Sequence, residues 1–436
     1  MQTTTQSRRS FLKRIAGAGA LLAFPTLIPS RALGLDGAVA PSNRIVMGGI
    51  GTGGKGKHDI QAFLGHKDLQ MVAVADVDRA HREAGKELVD KHYGNTDCAQ
   101  YGDFRELLAR PDIDTVTIGT PDHWHALIVV AACKAGKDMY CQKPFAASVA
   151  EGRAAADAVK RYGRICQVGS QERSRATGRF MGELVQNGFI GKLRTVTANL
   201  PIDTVQTCDV QPPEPVPAGF DYDFWLGPAP YEPYTTKRCH FSFRYIQDYT
   251  PGEIIDRGAH ICDLGQWGGG HMFTGPVEFE GKGEFPKDGL FNTAQAYDVH
   301  GRYADGVKLH MTDKPPRGVK FEGDEGWLFE HIHSGVLEAS SPLLLKAQIP
   351  AMGVHLYDNT NDHNRNFLDC VKTRKQPIAP AESGHRTSSL CHIANMALVL
   401  GRKLRWDPDK ERFLNDPAAD ALIARPMRAP WTFDMI

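Results

Sequence analysis

Residues 43–54 read NRIVMGGIGTGG, a short apolar strand running into a glycine turn. Gly49, Gly51 and Gly54 fill a G-x-G-x-x-G spacing. In that pattern the first glycine allows the tight turn and the second lets the backbone approach a pyrophosphate. The third lets the following helix pack closely on its strand. The helix N-terminus then offers unpaired N–H groups and a positive dipole end to the phosphates. Gly49, Gly51, Thr52, Gly53 and Gly54 are therefore expected to line a dinucleotide.

The flanking sequence strengthens that reading. A second strand, LQMVAVAD, ends at Asp76. A carboxylate there accepts hydrogen bonds from ribose hydroxyls and repels a 2′-phosphate, which favours NAD. Arg79 and Arg82 nearby leave NADP open. Residues 103–144 continue with a helix over 103–109, a strand over 115–119, a helix over 124–135 and the strand DMYCQKP carrying Lys143. Strand–helix alternation of this kind predicts a parallel, doubly wound α/β sheet. Ligands bind outside the carboxyl ends of its strands. The glycine turn, Asp76, Thr120–His125 and Gln142–Lys143 all fall at that edge. Thr120, Pro121, His125, Gln142 and Lys143 thus join the expected cofactor site, and Trp124 offers a ring to a sugar face.

The chain has 436 residues, enough for two domains. Residues 1–32 hold five basic side chains and no acidic one, so removing them takes the formal net charge from zero to about −5. That balance argues against a nucleic-acid partner. Nine scattered cysteines without a C-x-x-C pair imply no disulfide framework and read as buried small hydrophobes.

The first residues have a separate meaning. SRRSFLKR, residues 7–14, precedes the ten-residue apolar run IAGAGALLAF. The run suits a signal-peptide core and is too short to span a bilayer. The S-R-R-x-F-L-K pattern resembles the twin-arginine export signal, with cleavage expected after Ala32. Export to the periplasm without a stable membrane anchor is the expectation. That route implies a protein folded before transport, with any cofactor loaded beforehand.

From residue 169 the pattern changes. FMGELVQNGFIG reads as a short helix and KLRTVTANLP as a strand, while residues 208–240, rich in proline and aromatics, read as a lid or subunit contact. In PGEIIDRGAHICDLGQWGGG, residues 251–270, Asp256, His260, Asp263 and Trp267 share one face of a predicted helix. Such a polar stripe is expected to face solvent or a cleft. Alternating strands over 277–334 predict an open, mostly antiparallel sheet, and two closing helices follow. The boundaries expected are 43–168 for the dinucleotide domain and 169–436 for an α+β domain. His331 and His333 are expected on one strand face, with His123 and His125 in the same relation. The first pair has no third ligand of convincing spacing, and the place of the second at the crevice points to cofactor or sugar contact, so no metal is expected.

GIGTGG, VAVADVD, TPDHWH and CQKP, with GEIIDRGAHICDLGQWGG, together resemble the glucose–fructose oxidoreductase/inositol dehydrogenase (Gfo/Idh/MocA) family, from about residue 43 to past 400. The resemblance implies an NAD(P)-binding Rossmann domain, a sugar or glycoside substrate and a homo-oligomer, dimer or tetramer, built on the open sheet. It implies a catalytic set of Lys143, Asp256 and His260, with His260 as acid/base and Asp256 as orienter. Trp124, Arg173 and Asp263 are expected at the substrate. The family's usual Glu-Lys-Pro is here Gln142-Lys143-Pro144. Two chemistries suit an exported enzyme with a trapped cofactor: paired oxidation and reduction of sugars, or redox-neutral glycoside lysis. A non-catalytic binding protein on the same fold is the third reading.

Overall fold

The computed structural model describes residues 39–40, 43–202, 207–357 and 362–435. The expected leader, residues 1–32, lies outside the described residues. Residues Met1–Arg44 and Ile45–Ile436 are separate units. In the first, the Asn43 N–H donates to the Ala40 carbonyl at 2.9 Å.

The second unit opens with strands and helices in strict alternation. They are β1 (Ile45–Ile50), α1 (Gly54–Leu64), β2 (Leu69–Ala75), α2 (Arg79–Tyr93), β3 (Ala99–Tyr101), α3 (Phe104–Leu108), β4 (Thr115–Ile118), α4 (Asp122–Lys134), β5 (Asp138–Cys141), α5 (Val149–Arg161) and β6 (Cys166–Val168). The strands form one parallel sheet in the order β3-β2-β1-β4-β5-β6. β4 and β5 are buried along their whole length because helices cover both faces. The order reverses between β1 and β4, which opens a crevice at their carboxyl ends.

The rest of the unit comprises α6 (Ala176–Gln186), β7 (Leu193–Asn199), α7 (Tyr222–Leu226), α8 (Glu253–Asp256), α9 (Gly258–Gly268), β8 (Glu278–Glu284), β9 (Ala296–Arg302), β10 (Lys308–Thr312), β11 (Gly318–Gly323), β12 (Trp327–His331), β13 (Val336–Ala339), α10 (His363–Thr373), α11 (Ala381–Leu400), β14 (Leu404–Asp407), β15 (Arg412–Phe413) and α12 (Pro417–Asp420). A nine-stranded sheet runs β13-β12-β11-β7-β10-β9-β8-β14-β15. Its pairs are antiparallel except β7 with β10. β9 alternates buried and exposed residues, the pattern of a sheet with one open face. The other face is covered by α6, α9 and α11, and Val196, Leu264, Phe321 and Leu390 share that core.

The closing helices return to the first sheet. The Val168 N–H donates to Ala379 O at 2.8 Å. Phe367 of α10 packs edge-on against Phe63 and Tyr140.

The predicted helix over the polar stripe is interrupted at Arg257, between α8 and α9. Its stripe also divides. Asp256 and His260 face a cavity, whereas Asp263 and Trp267 are buried in the core. The expected pairing of His331 with His333 fails as well. β12 stops at His331, and His333 lies in the following turn with φ +72°. His123 and His125 sit in the first turn of α4, not on a strand.

All nine cysteines are free, and eight are buried. Among the described residues no helix is long and apolar enough to cross a membrane.

Candidate active site

A cavity of about 870 Å³ occupies the crevice. Gly51, Gly53, Gly54, Asp76, Thr120, Pro121, Gln142 and Lys143 line it from the first sheet, and Asp256 and His260 from the second part of the unit. Residues 207–250 cover it. Phe220, Phe241 and Tyr245 are in its wall, and the Arg79 N–H donates to Gly219 O at 2.9 Å beside the end of β2. The expected lid is therefore part of the cavity wall.

The glycine pattern works two residues later than the spacing suggested. Gly51 makes the turn, with φ +78°, and a Cβ there would lie 2.7 Å from the Thr120 nitrogen. Gly56 carries the close helix packing, since its Cβ would fall 1.9 Å from Gly51 O. Gly54, given that role from sequence, would meet nothing within 4 Å. Gly49 packs on Ile60 inside β1 and does not line the cavity. The working pattern is Gly51-x-Gly53-x-x-Gly56, which places Asp76 at the usual spacing of about 20 residues.

Asp76 is oriented by its neighbours. The Thr52 N–H donates to its Oδ2 at 2.7 Å and the Asp78 N–H to its Oδ1 at 2.9 Å. Thr52 is thus a support behind Asp76 and not a wall residue. Arg82 donates to the main-chain oxygen of Asp76 at 2.8 Å, and neither it nor Arg79 lines the cavity. The cradle formed by the glycine turn, the N-terminus of α1 and Asp76 fits a dinucleotide with free ribose hydroxyls.

His125 is also a support. Its ring nitrogens lie 2.6 Å from Pro144 O and 2.9 Å from Thr120 O, tying the β4 and β5 loops together behind the cavity. Trp124 lines the cavity, but Phe104, Phe224 and Trp431 pack around its ring and its indole N–H donates to Trp225 O. It is a buried wall and not an open platform for a sugar.

Lys143 and Asp256 meet at the far end. The Lys143 Nζ donates to Asp256 Oδ1 at 2.6 Å and to Asp256 O at 3.0 Å. Burial would raise the Asp256 carboxyl, but the charges of Lys143 and Arg244 hold it well below the ordinary range. Asp256 therefore pairs with the lysine and not with the imidazole. Among the described residues His260 Nδ1, itself buried, has no hydrogen-bond partner. Burial, and then the Lys143 charge, push His260 well below its ordinary value, so the ring is neutral at neutral pH.

Arg173 and Asp263 lie elsewhere. Their fork-to-fork pair, at 2.6 and 2.7 Å, is buried, with Thr387 and Ile378 O completing its bonds. This pair braces α9 and α11 away from the cavity.

Asp59, Asp122, Arg244 and the place of His333 beside the cavity escaped sequence reading. Gln142 donates to Oδ2 of the buried Asp59 at 2.7 Å, 83 residues away on α1. Asp122, in the first turn of α4, lines the cavity with Oδ2 unpartnered, and burial raises its carboxyl. Arg244, from the covering segment, approaches Asp256 at 3.4 Å. His333 lies beside His260, with ring centroids 6.0 Å apart. Only Gly56 had a linear signal, its spacing to Asp76. The others are brought in by tertiary contacts.

Residues 44–170 match the family model described as "Oxidoreductase family, NAD-binding Rossmann fold", and residues 204–433 the one described as "Oxidoreductase family, C-terminal alpha/beta domain". The chain is 27% identical over 169 residues to an alpha-N-acetylgalactosaminidase of Shewanella oneidensis, covering 38% of this chain and 37% of that one. It spans half or less of the length of the first curated relatives it matches. Among solved structures, aldose-aldose oxidoreductase from Caulobacter crescentus superposes with a TM-score of 0.61 at 18% identity, over 83% of this chain and 99% of that one. A levoglucosan dehydrogenase in complex with NADH and levoglucosan superposes with a TM-score of 0.61 at 16% identity, over the same shares. At these identities the structural likeness is one of fold.

Proposed function

The chain belongs to the Gfo/Idh/MocA oxidoreductase family, and from that premise we propose that it oxidises a hydroxyl of a sugar or glycoside, using an NAD that stays bound and is restored within the cycle. The observation that carries this reading is the Lys143–Asp256 pair beside His260, in the same cavity as the glycine cradle.

NAD, when bound, supplies the acceptor for the hydride leaving the carbinol carbon. The residues handle the proton and the charge. The neutral ring of His260, which lines the cavity, acts as general base toward the substrate hydroxyl. Lys143, fixed by the carboxylate and carbonyl of Asp256, stabilises the negative charge developing on that oxygen. In the reverse direction the histidine returns the proton. The covering aromatic segment excludes water and supports retention of the nucleotide.

A second reading is an NAD-dependent glycosidase, favoured by the likeness to the Shewanella alpha-N-acetylgalactosaminidase. Transient oxidation would acidify a neighbouring C–H, and elimination, hydration and re-reduction would follow. The twin-arginine pattern at residues 7–14 supports export of either enzyme with its nucleotide loaded. The open face of the nine-stranded sheet is the surface proposed for self-association.

The test is to purify the chain from residue 33 without added nucleotide, denature it, and identify what it releases. Near-stoichiometric NAD(H) is expected. An empty protein with weak nucleotide affinity would sink the proposed cycle. With sugars and glycosides supplied, an oxidoreductase forms a keto-sugar or lactone only when an acceptor is present. A glycosidase releases aglycone without one.

A further inference from the structure

We propose that Asp298, His300 and His310 form a binding site for a divalent transition metal of the zinc class, on the open face of the nine-stranded sheet. The site is separate from the cofactor cavity and does not depend on the proposed activity.

The sheet register builds the group. His300 of β9 and His310 of β10 are directly opposed cross-strand partners, and Asp298 lies two residues before His300. All three side chains therefore share one face. The two imidazoles stack, with centroids 4.6 Å apart and planes 6° from parallel. Both point Nε2 at one carboxylate. His310 Nε2 lies 2.5 Å from Asp298 Oδ1, and His300 Nε2 lies 3.4 Å from Asp298 Oδ2. One ligand atom from each residue falls within 4.8 Å of the other two.

Two imidazoles and one carboxylate are the donor set of zinc and related metals, which bind at about 2.0–2.2 Å and leave positions for water. Glu280 of β8 is the cross-strand partner of His300 on its other side and supplies a candidate fourth ligand. Lys282 opposes Asp298 in the same register and is the cation a bound metal must tolerate. Hydrogen bonding alone explains the cluster poorly. In the single chain His300 and Asp298 are about 60% exposed, where an ion pair contributes little. A metal ion converts the same convergence into coordinate bonds.

The experiment is calorimetric titration of the chelator-treated chain with Zn²⁺, with Co²⁺ as a visible-absorption probe. One equivalent should bind with micromolar or tighter affinity. His300→Ala, His310→Ala and Asp298→Asn should each weaken binding roughly tenfold or more and abolish the Co²⁺ bands, without changing sugar turnover. His81→Ala should leave the binding intact. That control addresses the other Asp–His–His group among the described residues, Asp78, His81 and His240, at the cavity. No stoichiometric binding to the unmutated chain would overturn the proposal. So would unchanged affinity in either sheet-histidine variant, or loss of the site in His81→Ala alone.

Discussion

Lys143, just past the end of β5, and Asp256, the last residue of α8, are 113 positions apart in the chain and 2.6 Å apart in space. Their charges act on His260 in opposite senses, the lysine lowering its pKa and the aspartate raising it. Lys143→Ala should therefore move the acid limb of the pH–rate profile upward, and Asp256→Asn should move it downward. Lys143→Ala should also lower kcat by about 10²–10⁴. The pH dependence of kcat on an active sugar, with ring-proton titration of His260 by NMR, reads both shifts. Shifts of the same sign would refute the arrangement.

The glycine turn gives a test of register. Gly56→Ala forces a Cβ into the carbonyl of Gly51, whereas Gly54→Ala enters open space. Gly56→Ala should lose nucleotide binding and cost about 1–3 kcal/mol or more. Gly54→Ala should keep both to within a few-fold. Nucleotide affinity and thermal unfolding measured side by side decide between the two registers.

Gln142→Glu restores the glutamate usual in the family but places it against Asp59, whose Oδ2 accepts from Gln142 at 2.7 Å. Burial already raises Asp59. Two carboxylates there must share a proton, so the folded pair titrates above its unfolded value. The stabilising proton is present at low pH and lost as pH rises. The variant should be close to the parent at pH 5 and less stable at pH 8, measured by urea unfolding. Equal deficits at the two pH values would count against the contact.

The buried Arg173–Asp263 pair predicts a stability phenotype. Asp263→Asn leaves a guanidinium buried without its counter-charge, at a cost of about 3–5 kcal/mol. The melting temperature should fall by several degrees or more, while KM for substrate stays within a few-fold in the folded protein. A large KM effect without loss of stability would return these residues to the substrate site.

His392 of α11 is buried with Nε2 3.0 Å from Ala146 O, and burial pushes it down to about 4. Below the unfolded value of about 6.5, the unfolded chain takes a proton that the folded one refuses. Folded stability from this group is therefore full above that value and falls by about 1.4 kcal/mol per pH unit toward 4. His392→Gln lacks that titration. Its deficit relative to the parent should narrow by about 1 kcal/mol between pH 7.5 and 5.5, read from urea unfolding at both values. An unchanged deficit would show that the folded ring takes up a proton as readily as the unfolded one.

Strand–helix alternation, the apolar runs and the carboxylate after β2 are local features, each set by neighbours a few residues away. They predict a doubly wound sheet, an NAD-type cradle and a mostly antiparallel second sheet, and all three are found in the structure. The glycine register went astray by two residues because glycine spacing alone does not say which backbone must touch which. That contact belongs to Gly51, Gly56 and Gly119 packed together.

The chain's own order of residues determined which chemical groups reach the carboxyl edge of the first sheet, since period and turn chemistry place strand ends. Only the tertiary structure decided what each group does there. It gave Asp256 to Lys143 and not to His260, took Arg173 and Asp263 into the core, and set Asp59 behind Gln142. Charge pairing and desolvation act over a few ångströms of space, and sequence separation carries almost no information about those distances.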